Sequence, residues 1–186
     1  RRRHTRFRNV TGVQTCALPI CVEANLSGWI GEPTTKAFKS VLVGLENDLL
    51  AMLVSAQKPT STKLEQAIKS IDSSLSAGFW AGDVTLTSGG QKVFTEHRQA
   101  VEMLTQIKPV TPAIAAIIQK VLDTDRALAA RAIADAATGD PKPLADARAF
   151  LASGDSARAR GDATKAIDEY RQAWMNAMKA MKKPVL

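Results

Sequence analysis

The sequence predicts an all-α fold, and three observations predict it. Apolar residues recur at spacings of three and four along six successive segments, the period of a helix face. Alanine is abundant while aromatic residues make up only 5% of the chain, which favours closely packed helices. No segment alternates over a strand's length; Val84, Thr85, Leu86 and Thr87 alternate, but four residues decide nothing. The expected architecture is an antiparallel bundle of about four helices, residues 33–138, followed by a helical hairpin and tail, residues 139–186.

The first helix is expected over residues 35–56, with Phe38, Val41, Leu42, Leu45, Leu49, Met52 and Leu53 as its stripe and Pro33 just upstream. Lys58 and Pro59 end it. The second opens on a capping box, Thr62 to Glu65, in which side chains and amides can satisfy one another reciprocally. Leu64, Ala67, Ile68, Ile71 and Leu75 form its apolar face, and Ala77-Gly78 is its expected stop. An irregular link over residues 79–87 holds Phe79 and Trp80. A second capping box, Ser88 to Gln91, opens the third helix, which buries Val93, Phe94, His97, Val101 and Leu104 and ends near Ile107.

Lys108 to Pro112 is a break. Thr111 can cap and Pro112 can occupy the first position of a fourth helix, reaching Ala137. Ile114, Ile117, Ile118, Val121, Leu128 and Ala132 are its stripe. The fifth and sixth helices, residues 143–160 and 162–181, are joined only at Gly161 and its neighbours. So short a joint forces an antiparallel hairpin.

That hairpin resembles one tetratricopeptide unit. Phe150, Gly154, Gly161, Asp162, Ala166, Tyr170 and Ala173 fall on matching offsets, while Ala157 and Met178 depart from the pattern. No second copy precedes it, and about three repeats are needed to build a groove. Tyr170 and Trp174, four apart, are expected to be core anchors facing Phe150, Leu151 and Gly154.

The stretch from Phe79 and Trp80 through Gly89, Gly90, Phe94, Glu96, His97 and Val101 to Leu104 resembles the C-terminal helical modules of large secreted bacterial and archaeal proteins. Those modules continue with a long helix and a tetratricopeptide-like hairpin ending in Ala-Trp, here Ala173-Trp174. The resemblance implies an extracellular or cell-surface setting and a terminal, non-catalytic position.

Residues 1–20 resemble translated laboratory DNA. Val10 to Ile20 matches a short-read sequencing adapter codon for codon, and Arg1 to Arg6 matches its other end in the same frame. Phe7, Arg8 and Asn9 fall where a sample index would sit. On this reading residues 21–32 are a remnant of an upstream region. Arg1, Arg2, Arg3, Arg6 and Arg8 account for five of the +7 net charge, which leaves +2 on the remainder. Cys16 and Cys21 are the only cysteines, so the chain beyond residue 21 has no thiol for a disulfide, a thiolate metal site or a nucleophile. No run of eighteen apolar residues encodes a membrane span.

His97, the one histidine beyond residue 20, lies on an apolar stripe and reads as a buried structural residue. Asp125 interrupts the fourth stripe, and a buried acid needs a partner, which His97 or Arg126 could supply. No Ser/His/Asp set, carboxylate pair or metal motif stands out, so no catalytic, cofactor or metal residues are expected. Phe79 and Trp80 are the candidate protein-interaction residues. Trp174, Met175, Met178 and Met181 read as helix-face packing, and Lys179, Lys182 and Lys183 as favourable charge at a helix C-terminus.

The expectation is a non-catalytic structural or interaction module of a larger secreted or surface protein. Its partners would be upstream domains of the same chain, another protein or a surface component, and not nucleic acid. Two alternatives stay open: a peptide-binding module using the hairpin, and an accessory domain of an exported enzyme. Because +2 spread over mixed-sign helices neutralises few phosphates together, residues 22–186 should bind generic DNA no more tightly than micromolar at physiological salt. Fluorescence anisotropy with a labelled duplex checks this, and submicromolar binding would contradict it.

Overall fold

In the computed structural model, which describes residues 37–181, the apolar stripes fold as six helices. They are α1 (Ala37–Ser55), α2 (Thr60–Ser74), α3 (Gln91–Thr105), α4 (Pro112–Asp135), α5 (Pro141–Ala159) and α6 (Ala163–Met181), with a short 3-10 turn at Ala77–Phe79. Among the described residues there is no strand, only an isolated antiparallel bridge between Trp80 and Leu86. The fold is an all-α bundle with a terminal hairpin. Residues 1–20 and 21–32 lie outside the described residues.

Local chemistry sets several helix ends. Thr111 is extended, and its hydroxyl accepts from the Ile114 amide at 3.3 Å with Pro112 next in line, as expected. Asp140 accepts from the Lys142 amide at 3.1 Å and is followed by Pro141, so α5 begins two residues before Pro143. Asp162 accepts from the Lys165 amide at 3.1 Å, and Gly161 takes φ +80° to turn the chain between α5 and α6.

Both expected capping boxes are absent. Helix α2 starts at Thr60, which places Thr62 already inside the first turn, and Pro59 precedes it without a side-chain bond. Before α3 the turn is made by Thr87 instead of Ser88. Its hydroxyl accepts from the Gly89 amide at 3.2 Å and its carbonyl from the Gly90 amide at 2.9 Å. A Cβ on Gly90 would lie 2.3 Å from that of Leu86, so the turn closes too tightly for any other residue there. Helix α2 also stops at Ser74, short of Gly78, because the following residues enter the 3-10 turn.

Helix α2 runs antiparallel to α3. Lys63 donates to the Gln106 carbonyl at 3.0 Å at one end, and Ser74 meets His97 at the other. Helix α4 is antiparallel to α5: Arg126 pairs with Asp155, and Arg158 with Asp123. Helix α6 folds back on α5 and therefore runs parallel to α4. At its far end the Ala180 carbonyl accepts from the Asp140 amide at 3.1 Å. Against α3 it is antiparallel, with Phe94 meeting Trp174 at a ring separation of 6.1 Å and Arg98 meeting Asp168. The second helix of the hairpin thus lies in the bundle core, burying Ala166, Ile167, Tyr170, Ala173, Trp174 and Ala177.

The stripes expected for α3 and α4 are buried in full. Helix α1 differs. Leu42, Leu45 and Leu49 are buried, but Val41, expected on the same face, is 37% exposed. Among the described helices α1 packs on α2 and α4, and its buried face is narrower than its apolar content. Val43, Leu50 and Val54 face outward.

Helices α5 and α6 approach closely at Gly154. A Cβ on Gly154 would lie 2.5 Å from Tyr170 Cε1. Tyr170 is fully buried and its hydroxyl donates to Asp155 at 2.9 Å, so the ring cannot yield. Gly154→Ala should therefore destabilise by about 1–3 kcal/mol through overpacking, although alanine in a helix ordinarily stabilises by about 1 kcal/mol. Chemical denaturation of both proteins checks the sign.

Candidate functional site

The most chemically distinctive cluster lies where the apolar faces of α2, α3 and α4 converge. His97 takes a stripe position on α3, Asp125 one on α4, and Ser74 ends the buried row of α2 after Ala67, Ser70 and Ile71. All three side chains are 0% exposed. His97 Nδ1 and Asp125 Oδ1 are 2.6 Å apart, and His97 Nε2 and Ser74 Oγ 3.1 Å. Of the partners open to Asp125, the structure selects His97; Arg126 turns instead to Asp155.

Donor counting assigns the protons. A serine hydroxyl has one hydrogen, and Ser74 donates it to the Ile71 carbonyl at 2.6 Å. Ser74 must therefore accept from His97, which requires a hydrogen on Nε2. Nδ1 and Asp125 Oδ1 then share one further proton. Burial pushes the Asp125 carboxyl above its ordinary range, and the adjoining imidazole opposes that rise without cancelling it. The other carboxyl oxygen, Oδ2, has no hydrogen-bond partner.

The order Asp–His–Ser matches the connectivity of an acyl-transfer triad, but the hydrogen bonds run differently. A nucleophilic serine gives its proton to histidine and faces the substrate. Here Ser74 gives its proton to a helix carbonyl and receives one from His97, inside the core. The arrangement ties three helices together. Sequence spacing hid it, since Ser74 and His97 are 23 residues apart and His97 and Asp125 are 28 apart. The signal that could have found Ser74 is its place on the α2 stripe, three residues after Ile71.

A second network joins α4, α5 and α6. Arg126 donates twice to Asp155, at 2.7 and 2.9 Å, and Tyr170 donates to the same carboxylate at 2.9 Å. Burial, with the Asp155 acceptor adding to it, holds the Tyr170 hydroxyl well above the ordinary phenol range. Beside it Arg158 binds Asp123 at 2.6 Å and Gln119 at 2.9 Å.

The candidate interaction residues separate. Trp80 is buried, and its Nε1 donates to the Ser74 carbonyl at 2.7 Å, which pins the link to the end of α2. Phe79 is half-buried, with the Lys92 ammonium 5.8 Å from its ring centre. Thr87 steadies the link by donating to the Gly78 carbonyl at 2.8 Å. Met175 and Met178 pack against the core as expected, while Met181 is 38% exposed. Lys179 is on the last turn of α6; Lys182 and Lys183 lie outside the described residues. Among the described residues no group of three or more His, Cys, Asp or Glu side chains is placed to hold a metal ion. An open polar groove of about 470 Å³ runs between α2 and α3, lined by Gln66, Lys69, Ser73, Glu96 and Gln99 among others.

Trp80→Phe removes one donor and leaves the Ser74 carbonyl without that bond next to the buried cluster. The expected loss is about 1–3 kcal/mol, read by urea denaturation; an unchanged stability would contradict it. Compared with known proteins, the chain matches no family model, no curated sequence and no solved structure, so what it does has to be read from its own residues.

Proposed function

We propose that this chain is a non-catalytic structural or interaction module of a larger secreted or cell-surface protein. The observation that carries the reading is the closure of the Ser74–His97–Asp125 cluster. The residues best equipped for chemistry are enclosed at 0% exposure and committed to one another and to a helix carbonyl. Placed there, they hold three helices in register. Such a module would space or cap upstream domains, with Phe79 as the more exposed of its two candidate contact aromatics.

The tetratricopeptide-like reading of the hairpin draws support from the Gly154–Tyr170 contact. A glycine on the first helix admits the ring of the second, as such a crossing needs. No helix among the described residues is long and apolar enough to cross a membrane.

A peptide-binding role is the second reading. It is favoured by a cleft of about 160 Å³ where Trp174, Met175, Met178 and Lys179 of α6 meet Ser88 and Gln91. Methionine-lined surfaces adapt to varied apolar side chains.

Trp174→Ala separates the two. As a structural anchor, 4% exposed and packed on Phe94, Trp174 should cost about 3–5 kcal/mol on truncation. Urea denaturation measures that loss. Unchanged stability together with lost binding to a peptide library would favour the second reading.

A further inference from the structure

The buried cluster has a proton count as well as a geometry. With one hydrogen on His97 Nε2 and one between Nδ1 and Asp125 Oδ1, the pair carries no net charge wherever that second proton sits. Removing it would leave two acceptors 2.6 Å apart and a buried carboxylate with no counter-charge. Adding one would place it on Asp125 Oδ2, the oxygen without a partner, and give a buried net positive charge. Either change puts an uncompensated charge in the core, which is strongly unfavourable.

No neighbouring charge relieves it. On α4, Arg126 is turned to Asp155 and Asp123 to Arg158. On α3, Arg98 is turned to Asp168 and Glu102, and Glu96 lines the outer groove. On α6, Tyr170 donates to Asp155 and Arg171 pairs with Asp168. On α2, Lys69 and Asp72 are exposed. Among the described titratable groups His97 is the one that acts on the Asp125 carboxyl.

We propose that the Ser74–His97–Asp125 chain is a pH-sensitive latch on the α2–α3–α4 junction. It is closed while both protons are held and loosened as the shared proton leaves.

The sign follows from counting protons on the pair as a unit. The unfolded chain releases the histidine proton near pH ~6.5 and the aspartate proton near ~3.9. Between those values folded and unfolded pairs each hold two protons, and the latch contributes no pH dependence. Above about 6.5 the unfolded pair holds one proton and the folded pair still two, so stability falls as pH rises. That direction agrees with the raised Asp125 carboxyl, whose favourable contribution is lost as pH climbs through its folded value.

Asp125→Asn isolates the effect. The asparagine amide donates to Nδ1 of a neutral imidazole, so the folded variant holds one proton. The variant is then flat above about pH 6.5 and loses stability below it. The ratio of folding equilibrium constants, native chain over Asp125→Asn, should fall by up to about tenfold per pH unit from about pH 5 to about pH 8. Urea denaturation of both full chains reads that ratio, and His4, common to both, cancels. A ratio independent of pH overturns the latch. Should the variant not fold, imidazole nitrogen resonances of the native chain decide. The expected result is a hydrogen on His97 Nε2 and a second, strongly downfield proton shared by Nδ1 and the Asp125 carboxyl. A His97 ring without a hydrogen on Nε2, or without a proton shared with Asp125, overturns the proposal.

Discussion

The architecture depends on how closely α6 can approach its neighbours. Alanines at 166, 173, 177 and 180 and Gly154 across the hairpin keep the crossings thin, and Tyr170 and Trp174 fill the space that remains. The turn between α4 and α5 obeys the same constraint. A Cβ on Gly139 would lie 2.5 Å from the Ala180 carbonyl oxygen, the oxygen that accepts from Asp140. Small residues thus set the backbone spacing, and two large rings set how the gap is filled. Without that close approach α5 and α6 would be an appended hairpin, and α3 would lose the Trp174 ring that now packs on Phe94.

A core this apolar makes its polar members costly, and they are arranged in two ways. Ser74, His97 and Asp125 are wholly enclosed and joined in one hydrogen-bonded chain, with Asp125 Oδ2 left without a partner. Arg126 and Asp155 sit at the rim, where bidentate geometry and partial solvation allow full charges, and the buried Tyr170 reaches them through its hydroxyl. The first arrangement orders α2, α3 and α4; the second orders α4, α5 and α6. Helix α4 belongs to both, which gives its polar positions a role that its apolar stripe alone would not suggest. Trp80 extends the first arrangement outward by binding the Ser74 carbonyl, so the irregular link between α2 and α3 is held by the cluster it covers.

Helix α1 shows the limit of reading burial from composition. It is the most apolar of the described helices, yet of its side chains Leu42, Leu45 and Leu49 are buried while Phe38, Met52 and Leu53 are covered in part, because among the described helices it packs on α2 and α4. Apolar content fixes how much surface a helix could bury. The number of neighbours fixes how much it does bury.

The helices themselves were legible by sequence alone. Apolar period, the Thr111-Pro112 start and the left-handed Gly161 are local features, decided by backbone sterics and by which face meets water. His97 and Asp125 were legible as buried polar residues for the same reason, each interrupting an apolar stripe. The capping boxes at Thr62 and Ser88 were misleading because a four-residue pattern fits several registers. Thr60 moves the first register upstream, and Thr87 takes over the second through a tight turn against Leu86. What tertiary structure decided was which buried polar groups meet. Choosing His97 over Arg126 for Asp125, and adding Ser74, depends on three helix faces converging at one depth. Neither the 23- nor the 28-residue separation encodes that distance. The position of α6 in the core was decided at the same level, since a hairpin's sequence specifies its own crossing but not the surface against which the pair is buried.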